Sequence, residues 1–248
     1  MSFLTKFLMT AVASAAAISF SFSAAARDYT KEELEQIIHS YIVDHPEVLV
    51  EASANLQKRK SELTAQNEAM YLKTFEKEIF HSDADATVGP KDARNVIVEF
   101  SDYNCGYCKH SKKLFFKVLE NHKDKGDIRY IFKEYPILGS GSEVSARASL
   151  AVYKLYPEKF LDYHMSVINS ASRISSDADL KPYVEKLGMD WGAVKKLMSD
   201  KSVSDTIDKN MNLGMAMEVT GTPCYIINGK FVRGAPQTVE YIESQLVK

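Results

Sequence analysis

The feature that most constrains this chain is a pair of cysteines, Cys105 and Cys108, separated only by Gly106 and Tyr107. An apolar, β-branched run precedes the pair at 95–100, and apolar residues at helical spacing follow it. The pair is therefore expected where a strand passes into a helix, with both cysteines on one face of the first helical turn. Three kinds of site fit that placement: a redox pair, half of a metal site, or a structural bridge.

Length and cysteine usage narrow the class of protein. The chain has 248 residues, three of them cysteines, and carries 31 basic and 33 acidic residues. This length fits one large domain, or one domain with an appendage. So few cysteines exclude a scaffold held together by disulfides, and the odd number points to chemistry at the pair. No block of lysine and arginine is present, so we expect no nucleic-acid partner.

Residues 1–26 have the order of a secretory signal. Lys6 supplies a positive charge, an apolar run extends from Phe7 to Phe22, and small residues precede Arg27. We expect cleavage after Ala26 and export to a compartment where disulfides persist. The alternative is a membrane anchor, but the run is rich in Ala, Ser and Thr and is short for a span of ~20 residues.

Residues 27–80 are predicted to form an N-terminal helical dimerisation segment. Thr30 followed by Glu33 forms a capping box at the start of a first helix, and Pro46 suits the first turn of a second. A thin apolar stripe on the second helix cannot bury much surface alone, so we expect it to pack against another copy of the chain. The alternative is an arm that packs back on its own domain. The stripe consists of apolar residues seven positions apart: Leu49, Leu56, Leu63 and Met70.

The remaining elements predict the fold class. In order, the sequence predicts a polar connection at 81–90, a strand at 95–100, a helix, a strand at 127–136, a block of helices at 140–218, a hairpin around Asn228 and Gly229, and a terminal helix. This order is that of an α/β protein with a thioredoxin fold, interrupted by an all-helical insertion at about 138–218. We therefore predict one catalytic domain over 81–248.

The two cysteines of the pair are expected to differ in reactivity. Cys105 would lie at the positive end of the helix dipole, where free backbone N–H groups favour the thiolate and lower the pKa of the thiol below ~8.5. A thiolate is the nucleophile of thiol-disulfide exchange. Cys108, one turn further in, can attack the resulting mixed disulfide and release the substrate. Gly106 and Tyr107 are expected to tune the redox potential.

Glu99 is a candidate acid–base residue. It lies six residues before Cys105 and, by strand alternation, on the opposite face from Val98 and Phe100. A carboxylate near a buried thiol can accept the proton of Cys108. The alternative is an ordinary glutamate at a strand end, paired with a lysine.

Pro223 stands immediately before a predicted strand, which is an unusual position for proline. One explanation is a cis peptide bond between Thr222 and Pro223. It would expose the backbone of Thr222 for pairing with an extended substrate segment. The other explanation is a trans proline at the first residue of the strand.

Cys224 is the odd cysteine. It begins an apolar strand, so we expect a buried and inert thiol. The competing idea is a tetrahedral zinc site built from Cys105, Cys108, Cys224 and a histidine such as His110. We expect no metal, because the sequence has no second close pair of cysteines and its histidines are scattered.

Together these residues resemble a known family. The stretches "VIVEFSDYNCGYCKHSKKL", "FKEYPILGSGSEVSARASLA" and "GTPCYIINGK" resemble the DsbA-like periplasmic thiol-disulfide oxidoreductases. The stretch "HSYIVDHPEVLVEASANLQKRK" resembles the subgroup with an N-terminal oligomerisation segment. That subgroup includes ScsC-type proteins and the dimeric DsbA-like proteins known as outer-membrane antigens. The resemblance extends over residues 30–246.

The resemblance implies a role for each candidate residue. Cys105 would be the attacking cysteine and Cys108 the resolving one, forming a redox-active disulfide. Pro223 would be a cis proline, with Thr222 facing the pair, and Glu99 would be the buried acid. Cys224 departs from the family pattern, since relatives commonly carry a small polar or apolar residue there.

The resemblance also implies a function. It places the protein in the periplasm, without a cofactor, acting on unfolded or misfolded exported proteins. Membrane partners of the DsbB type would reoxidise it, and partners of the DsbD type would reduce it. We expect a homodimer with both oxidase and isomerase activity, and a trimer as the second geometry. The alternatives are a non-catalytic chaperone, a surface antigen, or a carrier that binds copper or zinc through its thiols.

Overall fold

The computed structural model of the chain describes residues 27–247, so the predicted signal sequence at 1–26 lies outside the described residues. The described chain divides into two compact units, one ending at Arg59 and the other beginning at Lys60. None of the helices in this part of the chain is long and apolar enough to cross a membrane.

The first unit contains helix α1 (Lys31–Asp44) and the beginning of helix α2 (Glu47–Thr74). The predicted capping box is present: the Glu33 N–H donates to Thr30 Oγ1 at 3.2 Å, and the Thr30 N–H donates to the Glu33 carboxylate at 3.0 Å. Pro46 directly precedes α2. No side chain of α1 is buried within the described structure. This helix therefore lacks the tertiary packing that supplies most helical stability in proteins.

The second unit begins within α2. The sequence places the division after residue 80, whereas the structure places residues 60–80 with the second unit. Tyr71 and Ile79 are buried in its core, and Arg233 pairs with Glu68 at 3.2 Å. The segment 60–80 therefore contributes side chains to the hydrophobic core of the second unit.

The second unit is built on a five-stranded mixed sheet with the strand order β1-β3-β2-β4-β5. Strands β2 and β3 are parallel, and the other neighbouring pairs are antiparallel. This sheet, with helices around it, confirms the predicted thioredoxin fold. The strands are β1 (Ala86–Val88), β2 (Asn95–Ser101), β3 (Ile128–Glu134), β4 (Cys224–Ile227) and β5 (Lys230–Arg233).

Strand β1 was not predicted, because the sequence assigns 81–90 to a polar connection. Three residues are too few for the alternation that identifies a strand. The hairpin prediction is correct: Asn228 and Gly229 join β4 to β5 and both have positive φ, 49° and 78°. Two central residues with positive φ are what a two-residue type I′ hairpin turn requires.

Helices surround the sheet and form the insertion. Five of them, α5 to α9, lie between β3 and β4 in the sequence, as predicted. The helices of this unit after α2 are α3 (Glu76–Phe80), α4 (Gly106–His122), α5 (Ser140–Leu155), α6 (Phe160–Ile168), α7 (Lys181–Lys186), α8 (Trp191–Met198), α9 (Lys201–Ala216) and α10 (Val239–Ser244).

Strand β2 is the middle strand of the sheet and is buried on both faces. Ile97 packs with Phe115 of α4 in one apolar cluster, and Phe100 packs with Leu213 of α9 in a second cluster on the opposite face. Burying each such side chain contributes about 1.5–3 kcal/mol relative to leaving it exposed. The carboxyl end of β2, where the cysteine pair follows, is therefore held from both sides.

Candidate active site

The cysteine pair lies at the junction of β2 and α4. Cys105 is the N-cap residue of α4, with extended backbone angles, and Cys108 lies in the first helical turn. The turn between strand and helix is closed by Asp102, whose carbonyl accepts from the Cys105 N–H at 3.1 Å. The side chain of Asp102 accepts from the Asn104 N–H at 2.8 Å. Local hydrogen bonds therefore fix the chain where the first thiol stands.

The Cys105 thiol is strongly activated. It is 7% exposed, and in its protonated form its Sγ donates to the Thr222 carbonyl oxygen at 3.3 Å. Hydrogen bonds from the Cys108 thiol, the Thr222 side chain and the N–H groups of Cys108 and Tyr107 stabilise the thiolate. They outweigh the opposing effect of burial and lower the pKa of Cys105 to about 5. At pH 7 this gives roughly 100 thiolates for each thiol.

The Cys108 thiol has the opposite character. It is completely buried. Burial, the hydrogen bond it gives to Cys105, and the charge of Glu99 raise its pKa far above the usual range for cysteine. The pair therefore combines a surface-proximal thiolate with a buried thiol that must lose a proton to a base before it can react.

Glu99 is buried beneath the pair and satisfied by three donors. The Lys112 ammonium pairs with it, Tyr130 donates its hydroxyl at 2.7 Å, and Tyr225 donates at 3.1 Å. The residue is thus paired with a lysine, but inside the protein rather than at an exposed strand end. A buried carboxylate with a fixed set of donors is placed to exchange a proton with a nearby buried group.

A hydroxyl connects this carboxylate to the helix of the cysteines. Ser111 Oγ lies 2.7 Å from the Tyr225 hydroxyl and 3.3 Å from the Cys108 carbonyl oxygen. Residues 108, 111, 112 and 115 share the buried face of α4. The sequence analysis did not identify Ser111, Lys112, Tyr130 or Tyr225. Two of them could have been noticed, because Ser111 and Lys112 are polar residues on an otherwise apolar face of the helix.

The Thr222–Pro223 peptide bond is cis, the first of the two arrangements considered from the sequence. Pro223 is buried, Thr222 is half-buried, and the Thr222 carbonyl is the group that meets Cys105 Sγ. The loop before β4 therefore lies directly beside the reactive thiol.

Gly106 and Tyr107 are the exposed part of the site. Both residues are exposed, and Tyr107 leaves 72% of its surface open. A Cβ built on Gly106 would meet no atom within 4 Å. This dipeptide is therefore accessible to a macromolecule that approaches Cys105.

Cys224 is buried, as the sequence predicts, and belongs to the apolar cluster of Phe100 and Tyr135. Burial raises the pKa of Cys224 to about 11. By strand alternation its side chain points away from the face on which Tyr225 meets Glu99. Across residues 27–247, no group of three or more His, Cys, Asp and Glu side chains is arranged to hold a metal ion.

Asn104 ties the site to the helical insertion, and the sequence analysis did not identify it. Its amide nitrogen donates to the Ile174 carbonyl at 2.9 Å, and its amide oxygen accepts from the Ile174 N–H at 3.0 Å. It also donates to Ser142 at 3.3 Å. The residue immediately before Cys105 is therefore held by the segment between α6 and α7 and by α5.

Two family models match the chain. The model described as thioredoxin matches residues 81–248. The model described as the N-terminal domain of the copper resistance protein ScsC matches residues 31–62. The first match spans the sheet, the cysteine pair and the helical insertion, and the second spans α1 and the beginning of α2.

The proteins similar to this chain include two that are named for disulfide chemistry and one ScsC protein. Disulfide bond formation protein D of Bacillus subtilis (strain 168) is 27% identical over 154 residues, which cover 59% of this chain and 68% of that protein. The crystal structure of the thiol-disulfide exchange protein alpha-DsbA2 from Wolbachia pipientis has a TM-score of 0.67 at 26% identity, covering 74% of this chain and 96% of that chain. A linker-deletion mutant of Proteus mirabilis ScsC has a TM-score of 0.65 at 25% identity, covering 90% of this chain and 96% of that chain.

Proposed function

The chain belongs to the thioredoxin family as a thiol-disulfide oxidoreductase of the DsbA/ScsC type, and we propose that it both forms and isomerises disulfide bonds in exported proteins. The observation that carries this proposal is the contrast between Cys105 and Cys108. One thiol has its pKa lowered to about 5 at a helix start, while its buried neighbour has its pKa raised. The Cys105 thiolate of such a pair can attack a disulfide as a nucleophile. It can also act as the leaving group when a mixed disulfide is broken.

In the oxidase direction, the reactive form carries the Cys105–Cys108 disulfide. A client thiolate attacks Cys105 Sγ, a client–Cys105 bond forms, and Cys108 leaves and takes up a proton. A second client thiolate then attacks the client sulfur of this mixed disulfide and displaces the Cys105 thiolate. The low pKa of Cys105 makes it a good leaving group, because exchange is faster when the departing thiol is more acidic.

In the isomerase direction, the reduced form acts first. The Cys105 thiolate attacks a client disulfide and releases one client sulfur. If the client does not rearrange, Cys108 loses its proton to Glu99, attacks Cys105 Sγ and frees the client as a thiolate. We assign Cys108 as the resolving thiol and Glu99 as its proton acceptor.

Client polypeptide is expected to bind across Thr222 and the exposed dipeptide. The Thr222 backbone stands beside Cys105 and can pair with an extended segment. Gly106 leaves room for the segment, and Tyr107 offers an aromatic surface. Binding through backbone groups and an aromatic ring suits clients of varied sequence.

We propose that the first unit assembles the protein as a homodimer, with a trimer as the second geometry. Its helices expose apolar side chains, of which Ile38 is 56% exposed and Leu49 is also 56% exposed. An amphipathic helix that buries nothing alone gains its stability by covering this surface. In the periplasm, such an assembly would bring two reactive thiols to one client. Membrane partners of the DsbB and DsbD types would set the redox state of the cysteine pair.

The Cys108→Ala variant tests the resolving role. It should still attack a client disulfide but stall as a mixed disulfide, with insulin-reduction turnover below about one hundredth of wild type. The Cys224→Ala variant is the control, and it should turn over normally because that thiol is buried away from the pair. Normal turnover by Cys108→Ala would remove the resolving role from Cys108.

Shortening the chain to residues 60–248 tests the link between assembly and isomerisation. This boundary keeps Tyr71 and Ile79 in the core. The shortened protein should be monomeric by light scattering, should oxidise dithiols, and should lose the ability to refold scrambled RNase. Equal refolding by the short and full chains would show that assembly has no part in isomerisation.

A thiol-based copper carrier is the second candidate, favoured by the match of residues 31–62 to a copper resistance protein. Metal analysis of protein purified without oxygen separates the two. A carrier should hold stoichiometric copper and show no turnover with insulin. The proposed catalyst should turn over, and alkylation of its thiols in cells should trap a mixture of oxidised and reduced forms.

A further inference from the structure

Four segments of the chain meet around the reactive thiol. Cys105 Sγ lies 3.3 Å from the Thr222 carbonyl oxygen. The neighbouring Asn104 is hydrogen-bonded to Ile174 and to Ser142. These contacts determine which part of the protein surface a client meets when it approaches Cys105. The four segments are residues 102–119, 135–142, 169–176 and 219–224.

The lysine, arginine and carboxylate side chains that reach solvent in these four segments are all basic. Asp102 is their one acidic residue within 102–119, 135–142, 169–176 and 219–224, and it is buried. The whole chain has 31 basic and 33 acidic residues, so its composition does not explain this local excess of positive charge. We call the four cations the cationic rim; they are Lys109, Lys113 and Lys117 of α4 and Arg173 of the loop after α6.

The three lysines of the rim follow one stripe of α4. They are spaced four residues apart, which places them one above the other on the helix surface. A rise of ~1.5 Å per residue places Lys113 about 12 Å and Lys117 about 18 Å beyond Cys105 along the helix axis. An extended polypeptide, at ~3.3 Å per residue, spans these distances in about four to six residues.

The rim cations have no carboxylate partner within residues 27–247. Lys109 Nζ donates to the Ser170 carbonyl oxygen at 2.8 Å, and Arg173 donates to the Leu138 carbonyl oxygen. The next acidic residue along α4, Glu120, pairs with Lys123 instead. The positive charge of the rim is therefore not neutralised by the described part of the chain.

Neither helix stability nor the acidity of Cys105 explains the rim. The beginning of a helix favours negative side chains, yet the first turn of α4 has no acidic residue and is followed by the lysines. The groups that lower the pKa of Cys105 are hydrogen-bond donors, and no rim cation is among them. The charge of the rim is thus available to a molecule that approaches the thiol.

We propose that the cationic rim selects clients that carry acidic side chains within about six residues of the reacting cysteine. This inference rests on the proposed function, because it concerns the clients that exchange disulfides at Cys105. Pairing with the Thr222 backbone holds a client without regard to its sequence, so the attraction between the rim and carboxylates supplies a preference. A polypeptide is favoured over a lipid surface, because the rim borders the thiol and the backbone group that act on polypeptide.

Oxidation of three two-cysteine peptides tests the preference. The peptides differ only in the residues beside their cysteines, which are glutamate, glutamine or lysine. In each reaction the peptide dithiol is oxidised to a disulfide and the Cys105–Cys108 disulfide is reduced. Each rate constant is divided by that for the same peptide with hydroxyethyl disulfide, which corrects for the effect of the flanking charges on the peptide thiols.

The normalised rate constant of the glutamate peptide should exceed that of the lysine peptide about tenfold at low salt, with glutamine between them. This ratio should fall towards one as salt rises from about 0.01 M to about 1 M, because the Debye length falls from about 30 Å to about 3 Å. Equal normalised rate constants at low salt, or a ratio that persists at high salt, would overturn the proposal.

Charge variants locate the preference on the protein. Lys113→Gln combined with Lys117→Gln should bring the ratio close to one, and Lys113→Glu combined with Lys117→Glu should make the lysine peptide the faster one. The matched control is Lys209→Gln combined with Lys230→Gln, which removes the same charge from exposed positions in α9 and β5. It should keep the wild-type ratio. An equal loss in the control would assign the effect to net charge and overturn the proposal.

The same measurements separate this inference from the proposed function. If the oxidised protein oxidises none of the three peptides, the proposed function fails and this inference fails with it. If it oxidises all three at equal normalised rates, only the selectivity of the rim fails. Binding to vesicles of anionic phospholipid that is lost in Lys113→Gln combined with Lys117→Gln would then assign the rim to a membrane surface.

Discussion

Cys105 is activated by neutral hydrogen-bond donors. The groups that lower its pKa to about 5 are the Cys108 thiol, the Thr222 side chain and the N–H groups of Cys108 and Tyr107. The start of α4 and the loop before β4 hold these donors in place. Since none of them carries a full charge, the acidity of Cys105 should change little with ionic strength.

Thr222→Val removes one of these donors. We expect the pKa of Cys105 to rise by about one unit, the effect of losing one hydrogen bond to an anion. The absorbance of the thiolate, followed against pH, measures this change. Thr220→Val, at an exposed position in the same loop, should leave the pKa where it is; equal pKa values in the two variants would exclude Thr222 as a donor.

The reactive residues could be predicted from the sequence, but the charges beneath them could not. Two cysteines three positions apart at a strand-to-helix junction form a local pattern, and the threonine and proline before β4 form another. Glu99 meets Lys112, Tyr130 and Tyr225 only because three other elements bring them to one place. No local pattern of residues specifies contacts of that kind.

At the scale of elements, the helical insertion is joined to the active site through close backbone packing. Gly141 in α5 lies so close to Ile174 that a Cβ on it would fall 2.0 Å from the Ile174 carbonyl oxygen. That carbonyl is the acceptor of the Asn104 amide. A change in α5 should therefore reach the residue before Cys105 through Ile174.

Gly141→Ala should destabilise the protein by about 1–3 kcal/mol, the usual cost of overpacking a buried site. Urea unfolding with far-UV circular dichroism measures the loss. Gly192→Ala in α8 is the control, because its Cβ would meet only the Asp190 side chain, at 3.2 Å. A free energy of unfolding for Gly141→Ala equal to that of the control would show that α5 and Ile174 are not in close contact.

His122 joins the end of α4 to α10. Its two ring nitrogens lie 2.8 Å from Asp127 and 2.8 Å from Glu243. Burial lowers the pKa of His122, but the hydrogen bonds to Glu243 and Asp127 raise it more, so the folded pKa lies above 6.5. A group of this kind stabilises the fold fully below its unfolded pKa, and the stabilisation is lost as pH rises through the folded pKa.

His122→Gln should therefore lower the free energy of unfolding by about 1–2 kcal/mol at pH 5.5, where two charge-assisted hydrogen bonds are lost. The difference from wild type should shrink as the pH rises above the folded pKa. Thermal unfolding at several pH values measures it. The control is His110→Gln, which changes an exposed histidine on the same helix. If the difference in free energy of unfolding between His122→Gln and wild type grew with pH, the charged hydrogen bonds of His122 would be contradicted.

Element order was predictable because most of it depends on local periodicity. The strand before the cysteines, the insertion and the Asn228–Gly229 hairpin all follow from such patterns. Strand β1 was missed because three residues carry too little alternation. The division within α2 was also missed, since the same continuous helix carries exposed apolar residues such as Leu56 and a buried one, Tyr71.

For the whole molecule, the redox state and the stability of the fold should be linked through Cys105. Its thiol has a folded pKa of about 5 against an ordinary value of 9.0. A lowered pKa contributes stability that is complete above the unfolded pKa and is lost as pH falls through the folded one. The oxidised protein lacks this thiol. The reduced form should therefore gain stability relative to the oxidised form as the pH rises from 5 to 9.

Chemical unfolding of both redox forms at pH 5 and pH 7 measures this gain. The free energy of unfolding of the reduced form should rise by up to about 2.5 kcal/mol relative to the oxidised form over these two pH units. The reduced Cys105→Ser variant should show no such rise. If the difference in free energy of unfolding between the reduced and oxidised forms did not depend on pH, the fold would not stabilise the thiolate.

The most direct measurement is the titration of Cys105 itself in the reduced, folded protein. The thiolate absorbance should be followed from pH 3 to 9, with the oxidised protein as the blank. We expect a single midpoint near pH 5, absent from Cys105→Ser and present in Cys224→Ala. A midpoint between about pH 8 and 9, where an ordinary cysteine ionises, would contradict the account of this site.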